Sequence, residues 1–230
     1  MENSKFHSSI KAVIFDCDGV LLDSEEIGGR IEVNALKKLG ISIEEEEYNG
    51  RFSGVTTAQA LQTVTKESGV SISDAMIDEI ENEITVALEK EVKVIPNIAE
   101  TLRAIHLPKA VASNSHLPRL LKLLNSRHLD QYFDDCIFSA DMVSKPKPHP
   151  DLYQFAAKKM GVLPFECLVI EDSPTGAQAA HKAGMKVLGF IGTAQSQKIS
   201  DKRFFEAGVD IVFNDMLQLP ELIQLENHCY

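Results

Sequence analysis

The stretch Val13-Ile14-Phe15-Asp16-Cys17-Asp18-Gly19 constrains this chain more than any other. A short apolar run bounded by a polar turn is the pattern of a strand buried on both faces, as in a parallel sheet. Carboxylates at the C-terminal end of such a strand stand where open α/β sheets bind ligands. Residues two apart on a strand share a face, so regular geometry would aim Asp16 and Asp18 into one crevice. Two ionised carboxylates that close repel and need a cation or a shared proton. Taken alone, Asp18-Gly19 is also an ordinary turn pair.

From Val92 onward strand-like and helix-like runs alternate. The strand candidates are Ala110–Ser113, Cys136–Ser139, Leu168–Glu171, Val187–Ile191 and Ile211–Phe213. Helical spacing falls between them, near Ile98–His106, Pro118–Leu124, Leu152–Met160, Pro174–Ala183 and Lys202–Ala207. Such alternation predicts a parallel sheet with helices on both faces. The run ending at Asp16 belongs to that sheet, because a lone strand cannot bury itself.

Residues 24–91 have a different texture. Ser24 can cap a helix carrying Ile27, Ile31, Ala35, Leu36 and Leu39 on one face, with Gly40 as its stop. The acids Glu44–Glu47 suit a helix start, and Tyr48–Gly54 reads as a turn-rich stretch. Helices follow from about Thr56 to Ser68 and from Ser73, with Met76, Ile80, Ile84 and Ala87 on one face. No convincing strand interrupts them. The expectation is an α/β core of residues 1–23 and 92–230, with an all-helical cap of residues 24–91 inserted.

Composition narrows the function classes. A net charge of −11 argues against non-specific binding to nucleic acid or anionic membrane. No apolar run is long enough to span a bilayer, and Met1–Lys5 lacks the apolar region of a signal peptide. Cys17, Cys136, Cys167 and Cys229 show no C-x-x-C spacing, so reduced thiols are expected. The chain reads as a cytoplasmic protein, expected to be monomeric.

Several strand ends carry chemistry, and on a parallel sheet those ends share one edge. Ser113-Asn114-Ser115 closes one strand before a helix, where a hydroxyl and free N–H groups suit an anion; the plainer alternative is that Ser113 merely caps that helix. Lys145 and Lys147 each precede a proline in a loop that continues through His149-Pro150-Asp151. Glu171-Asp172 ends a further strand, followed by Ser173 as N-cap and Pro174. Acids around one lysine suit a hard divalent cation with oxygen ligands, best Mg²⁺, beside a phosphate. With both negative groups neutralised, one aspartate can attack phosphorus while the other handles the proton of the leaving oxygen.

These motifs resemble the phosphatase branch of the haloacid dehalogenase superfamily. Asp16-Cys17-Asp18-Gly19-Val20 is similar to its first motif, Ser113-Asn114 to its second, Lys147 in Lys147-Pro148-His149-Pro150-Asp151 to its third, and Glu171-Asp172 to its fourth. The resemblance implies a Rossmann-like parallel-sheet core with an inserted helical cap. It implies that Asp16 is nucleophile and Mg²⁺ ligand, and that Asp18 is general acid/base, binding Mg²⁺ through its backbone carbonyl. Ser113 and the backbone N–H of Asn114 would hold the phosphoryl group with Lys147. Asp172 would complete the metal shell, with Glu171 a direct or outer ligand. The implied activity is Mg²⁺-dependent phosphomonoester hydrolysis through an aspartyl-phosphate. The implied substrate is a small phosphorylated metabolite, a sugar phosphate or sugar-acid phosphate such as 6-phosphogluconate.

Arg51 in the cap is a further candidate for a substrate carboxylate or phosphate. A sugar-phosphate mutase of the β-phosphoglucomutase type is the nearest rival; it carries a histidine early in its first cap helix, where this chain has Glu26-Ile27-Gly28-Gly29-Arg30. A receiver-like signalling domain also forms an aspartyl-phosphate, but such domains are smaller and uncapped.

Overall fold

The first strand of the computed structural model, β1 (Ala12–Phe15), is buried along its length, and its side chains divide by parity. Val13 and Phe15 enter one apolar core, Ala12 and Ile14 another. The strand alternation that sends neighbours to opposite faces thus feeds two helix layers, one on each side of the sheet. The structure describes residues 9–228; Met1–Lys5 and Cys229 lie outside the described residues.

After β1 come β2 (Leu22–Asp23), α1 (Glu25–Lys38), α2 (Glu45–Phe52), α3 (Thr57–Glu67), α4 (Asp74–Glu91) and β3 (Lys93–Val94). The chain continues through α5 (Ile98–Ala104), β4 (Lys109–Ser113), α6 (Leu117–Ser126), β5 (Ile137–Ser139), α7 (Asp151–Met160) and β6 (Cys167–Glu171). It ends with α8 (Pro174–Lys182), β7 (Lys186–Phe190), α9 (Asp201–Glu206), β8 (Ile211–Phe213) and α10 (Leu219–His228).

Six strands form one parallel sheet in the order β5-β4-β1-β6-β7-β8. The chain builds outward from β1 to one side through β4 and β5, then returns to its other side for β6. The strand order therefore reverses beside β1, and ligands in open α/β sheets bind at the carboxyl ends flanking such a point. The register pairs Phe15 with Ile170 and with Val111, which brings Asp16 level with Glu171 and places Ser113 one residue further along β4.

The helical segment is held at both ends by a ribbon that the sequence did not announce. β2 pairs antiparallel with β3, Leu22 opposite Val94 and Asp23 opposite Lys93; two-residue strands are too short to carry a pattern. Within the segment α1 packs against α2, α3 and α4, burying Ile27, Ile31, Val33 and Leu36. Thr56 and Ser73 cap α3 and α4, each side chain accepting an N–H at 3.3 Å.

Two expectations change. The stretch Tyr48–Phe52 is the second half of α2 and no turn, because Tyr48 and Phe52, one helical turn apart, pack ring to ring at 5.0 Å and bury Tyr48. Ser24 occupies the N-cap position of α1 but makes no capping bond; its hydroxyl is taken by Asp18 instead. α10 also forms without having been foreseen. Cys17 and Cys167 are buried free thiols and Cys136 is half-buried and free. No described helix is long and apolar enough to cross a membrane.

Candidate active site

Asp16 follows β1 directly, its N–H still bonded to Ile170 O at 3.0 Å, so the strand's own ladder fixes it beside β6. Its Oδ1 accepts the ammonium of Lys147 at 2.8 Å, and the same Nζ reaches Glu171 Oε1 at 2.7 Å. Lys147 is 1% exposed, whereas Lys145 lies on the surface. The loop is pinned by Asn114: its Oδ1 accepts Lys147 N at 3.1 Å, and its Nδ2 donates to Lys147 O and to Gly54 O. The side chain of Asn114, a residue expected to act through its backbone, thus ties β4, the lysine loop and the helical segment together.

Glu171 is fully buried and fully engaged. Oε1 accepts Lys147 Nζ and the Tyr153 hydroxyl at 2.6 Å, and Oε2 accepts the Ser173 hydroxyl at 3.2 Å. Tyr153 also lays its ring under the ammonium, 4.8 Å from Nζ to centroid. The carboxylate needs Gly176 in α8, where a Cβ would fall 1.8 Å from Oε1.

Asp172 contrasts with its neighbour: its Oδ2 is buried with no hydrogen-bond partner. Asp16, Glu171 and Asp172 each offer an oxygen within 4.8 Å of the others. Gly19, at φ +76°, lets the chain turn over Asp172, and a Cβ there would meet Oδ2 at 1.7 Å. Burial pushes the Asp16 carboxyl up to about 8, with Lys147 opposing and Glu171 and Asp18 adding to the rise. Burial, reinforced by Glu25 and Asp16, drives Asp172 well above the carboxylate range. Lys147 stays charged: burial works against the ammonium, but Asp16 and Glu171 outweigh it and hold it above the lysine range. A crowded, oxygen-only cluster with an orphaned carboxylate oxygen fits a hard divalent cation.

Asp18 does not share that cluster's contacts. The chain leaves the strand after Phe15, and the Asp18 carboxyl is met by three hydroxyls: Ser24 at 2.6 Å, Ser115 at 2.8 Å and Ser113 at 3.2 Å. The two aspartates, two residues apart, thus serve different partners, Asp16 a buried cation and Asp18 a ring of serines.

The structure gathers Asp16, Asp18, Ser113, Asn114, Lys147, Glu171 and Asp172 at one sheet edge. It does not bring Arg51 there. That side chain is exposed, held by Glu67 at 2.7 Å, and lies over Phe52; it does not line the cavity, and no contact leads it inward.

Sequence reasoning passed over several groups. Ser115 follows Ser113 by two, so it had a strand-period signal. Glu25 reads as an ordinary first-turn acid of α1, yet it is half-buried, burial lifts it to about 7, its Oε1 accepts Ser53 and its buried Oε2 has no partner. Tyr153 reads as a core-facing aromatic of α7. A cavity of about 270 Å³ opens from Asp16, Asp18 and Lys147 to Tyr48, Glu32 and Arg119, roofed by the helical segment.

The model of the family described as haloacid dehalogenase-like hydrolase matches residues 13–190. The chain is 32% identical to 6-phosphogluconate phosphatase of Escherichia coli K12, over 94% of this chain and 95% of that protein. It is 29% identical to hexitol phosphatase B of Escherichia coli O157:H7, over 88% and 91% respectively. A solved haloacid dehalogenase-like protein of unknown function from Agrobacterium tumefaciens matches with a TM-score of 0.80 at 35% identity, covering 94% of this chain and 98% of that one. With the motif-bearing strands all inside the matched span, the chain belongs to the haloacid dehalogenase-like hydrolase family.

Proposed function

We propose that this hydrolase is a Mg²⁺-dependent phosphomonoester phosphatase that works through an aspartyl-phosphate on Asp16. The observation that carries the reading is the pairing of a buried lysine on Asp16 with an orphaned oxygen on Asp172. The carboxylates of Asp16 and Asp172 and the backbone carbonyl of Asp18 would hold Mg²⁺. When bound, the ion supplies the positive charge that lets a carboxylate approach a phosphate dianion. Lys147 supplies a second positive charge at the same place and orients Asp16. Glu171, its oxygens already engaged by Lys147, Tyr153 and Ser173, acts by fixing that ammonium.

Ser113 and the N–H of Asn114 would hold the phosphoryl oxygens. Asp18 would give a proton to the leaving oxygen as Asp16 attacks phosphorus, then take one from water as the aspartyl-phosphate is hydrolysed. The hydroxyls of Ser24, Ser113 and Ser115 steady its carboxyl for that exchange. The helical segment would act as a cap that excludes water from the reacting centre.

The names of two relatives, a 6-phosphogluconate phosphatase and a hexitol phosphatase, support a small sugar-derived monoester as substrate. Gly28, which lines the cavity, stands in the stretch where mutases carry a histidine, so hydrolysis is preferred to phosphoryl return. The test is phosphate release from a panel of such monoesters. Mg²⁺-dependent multiple turnover, abolished in Asp16→Asn with the fold retained, is the expected result. A long-lived stoichiometric phosphoprotein, or near-normal turnover by Asp16→Asn, would refute the assignment.

A further inference from the structure

The cavity that holds Asp18 and Lys147 is also lined by polar groups that the hydrolytic chemistry leaves unused. Ser115, which donates to Asp18, also accepts Arg119 Nη2 at 3.3 Å, so one hydroxyl separates the reacting centre from a guanidinium on α6. Nε and Nη1 of that guanidinium are buried and have no partner. The hydroxyl of Tyr48 on α2, in a side chain only 1% exposed, faces Glu32. Glu32 on α1 is buried beside them, 9% exposed. All of them line the cavity that contains Asp18. Buried polar groups left without partners by the protein itself mark a place where something else supplies the bonds.

Charge says what that is. Arg119 faces Glu32 and Glu81: burial raises both carboxyls, hydrogen bonds from Thr57 and Tyr48 oppose the rise at Glu32 and His116 opposes it at Glu81, and the guanidinium adds to the opposition in each. Glu81 also holds His116 Nε2 at 2.8 Å, whose Nδ1 is held by Asp141. One arginine between two acids is no anion receptor, because a substrate carboxylate or second phosphate would meet the acids as well. A hydroxyl both donates and accepts: it can give its proton to Glu32 while taking one from Arg119 or Tyr48. The cavity, at about 270 Å³, suits a small molecule.

We propose that the part of the cavity lined by Glu32, Tyr48 and Arg119 is a subsite for an uncharged, polyhydroxylated carbon chain, so that the preferred substrates are monoesters of neutral sugars or polyols and not of sugar acids or bisphosphates. The inference rests on the phosphatase reading above and selects within it. Glu32 and Arg119 are its specificity-determining residues.

The experiment compares kcat/KM for a hexose 6-phosphate and a hexitol 6-phosphate with that for 6-phosphogluconate and a sugar bisphosphate, in the wild type and in Glu32→Gln. The expected result is a preference of tenfold or more for the neutral esters, reduced about tenfold in Glu32→Gln as the acid substrate gains relative to them. Equal or better hydrolysis of 6-phosphogluconate or the bisphosphate by the wild type would overturn the proposal while leaving the phosphatase assignment intact. A Glu32→Gln variant that lowers all four substrates in equal proportion would overturn the role of Glu32. Phosphate release from none of them would overturn the phosphatase reading itself.

Discussion

Replacing Lys147 by alanine removes one ammonium from two buried carboxylates, at 2.8 Å from Asp16 and 2.7 Å from Glu171. Breaking a buried ion pair from one side costs about 3–5 kcal/mol, because the remaining charge is left without compensation. For a chain of this length, at ~2–4 °C per kcal/mol, the melting temperature should fall by roughly 6–20 °C. The loss also has a pH signature. Without the lysine, which opposes the rise, Asp16 would hold a proton in the folded state that the unfolded chain releases, so the deficit widens as pH rises. Lys145→Ala, at an exposed position in the same loop, should melt within about 2 °C of the wild type. The assay is thermal unfolding of both variants without added metal at pH 6 and pH 8.5, with turnover measured alongside. Turnover should be lost in Lys147→Ala and nearly kept in Lys145→Ala. A Lys147→Ala protein that melts within ~2 °C of wild type at the higher pH, or a greater loss of turnover in Lys145→Ala, would refute the reasoning.

Metal addition should stabilise the protein in a pH-dependent way. The Asp16 carboxyl lies at about 8 in the folded chain against an ordinary 3.8, so without metal stability declines as pH rises from 3.8 to about 8. Mg²⁺ at a hundredfold excess over its dissociation constant adds about 2.7 kcal/mol, or roughly 5–11 °C. At a fixed Mg²⁺ concentration the increment should be larger at pH 8 than at pH 5.5, and an equal increment would count against a carboxylate site. Gly176→Ala and Gly28→Ala should have opposite signs although both lie in helices. The first drives a Cβ to 1.8 Å from Glu171 Oε1 and should cost ~1–3 kcal/mol. The second meets nothing within 4 Å and should gain about 0.4–1 kcal/mol, so urea unfolding of the pair checks the packing directly. Arg51→Ala should change KM less than twofold, since its guanidinium is spent on Glu67 at the surface; a tenfold rise would return it to the substrate.

The chemistry of the sheet edge was legible because parallel strands end together. Once β1, β4 and β6 are recognised as apolar runs, Asp16, Ser113 and Glu171-Asp172 must converge whatever the loops do. Lys147 could be chosen over Lys145 only through the Lys-Pro-x-Pro-Asp pattern; the side chain of Asn114 accepting the backbone N–H of one lysine and leaving the other outside is a matter of loop conformation. Arg51 was misplaced for the converse reason. A long cation beside a cavity-lining helix has no local signal that says whether it turns inward or, as here, pairs with Glu67 on the next helix.

The amino-acid sequence alone determined the sheet, the helical insertion and the residues that meet at the strand ends, because hydrophobic period and turn chemistry are local. Tertiary structure alone decided how the acids divide. Asp16 and Asp18 are two residues apart and would share a face on an ideal strand. The strand ends between Phe15 and Asp18, however, so one carboxylate stays with the buried lysine and the other swings to three serines, one preceding α1 and two at the end of β4. The same holds for Glu32, Tyr48 and Arg119, spread over 88 positions of chain from residue 32 to residue 119. Only the seating of the helical segment over the sheet puts them around one cavity, and no pattern within any one segment could have announced it.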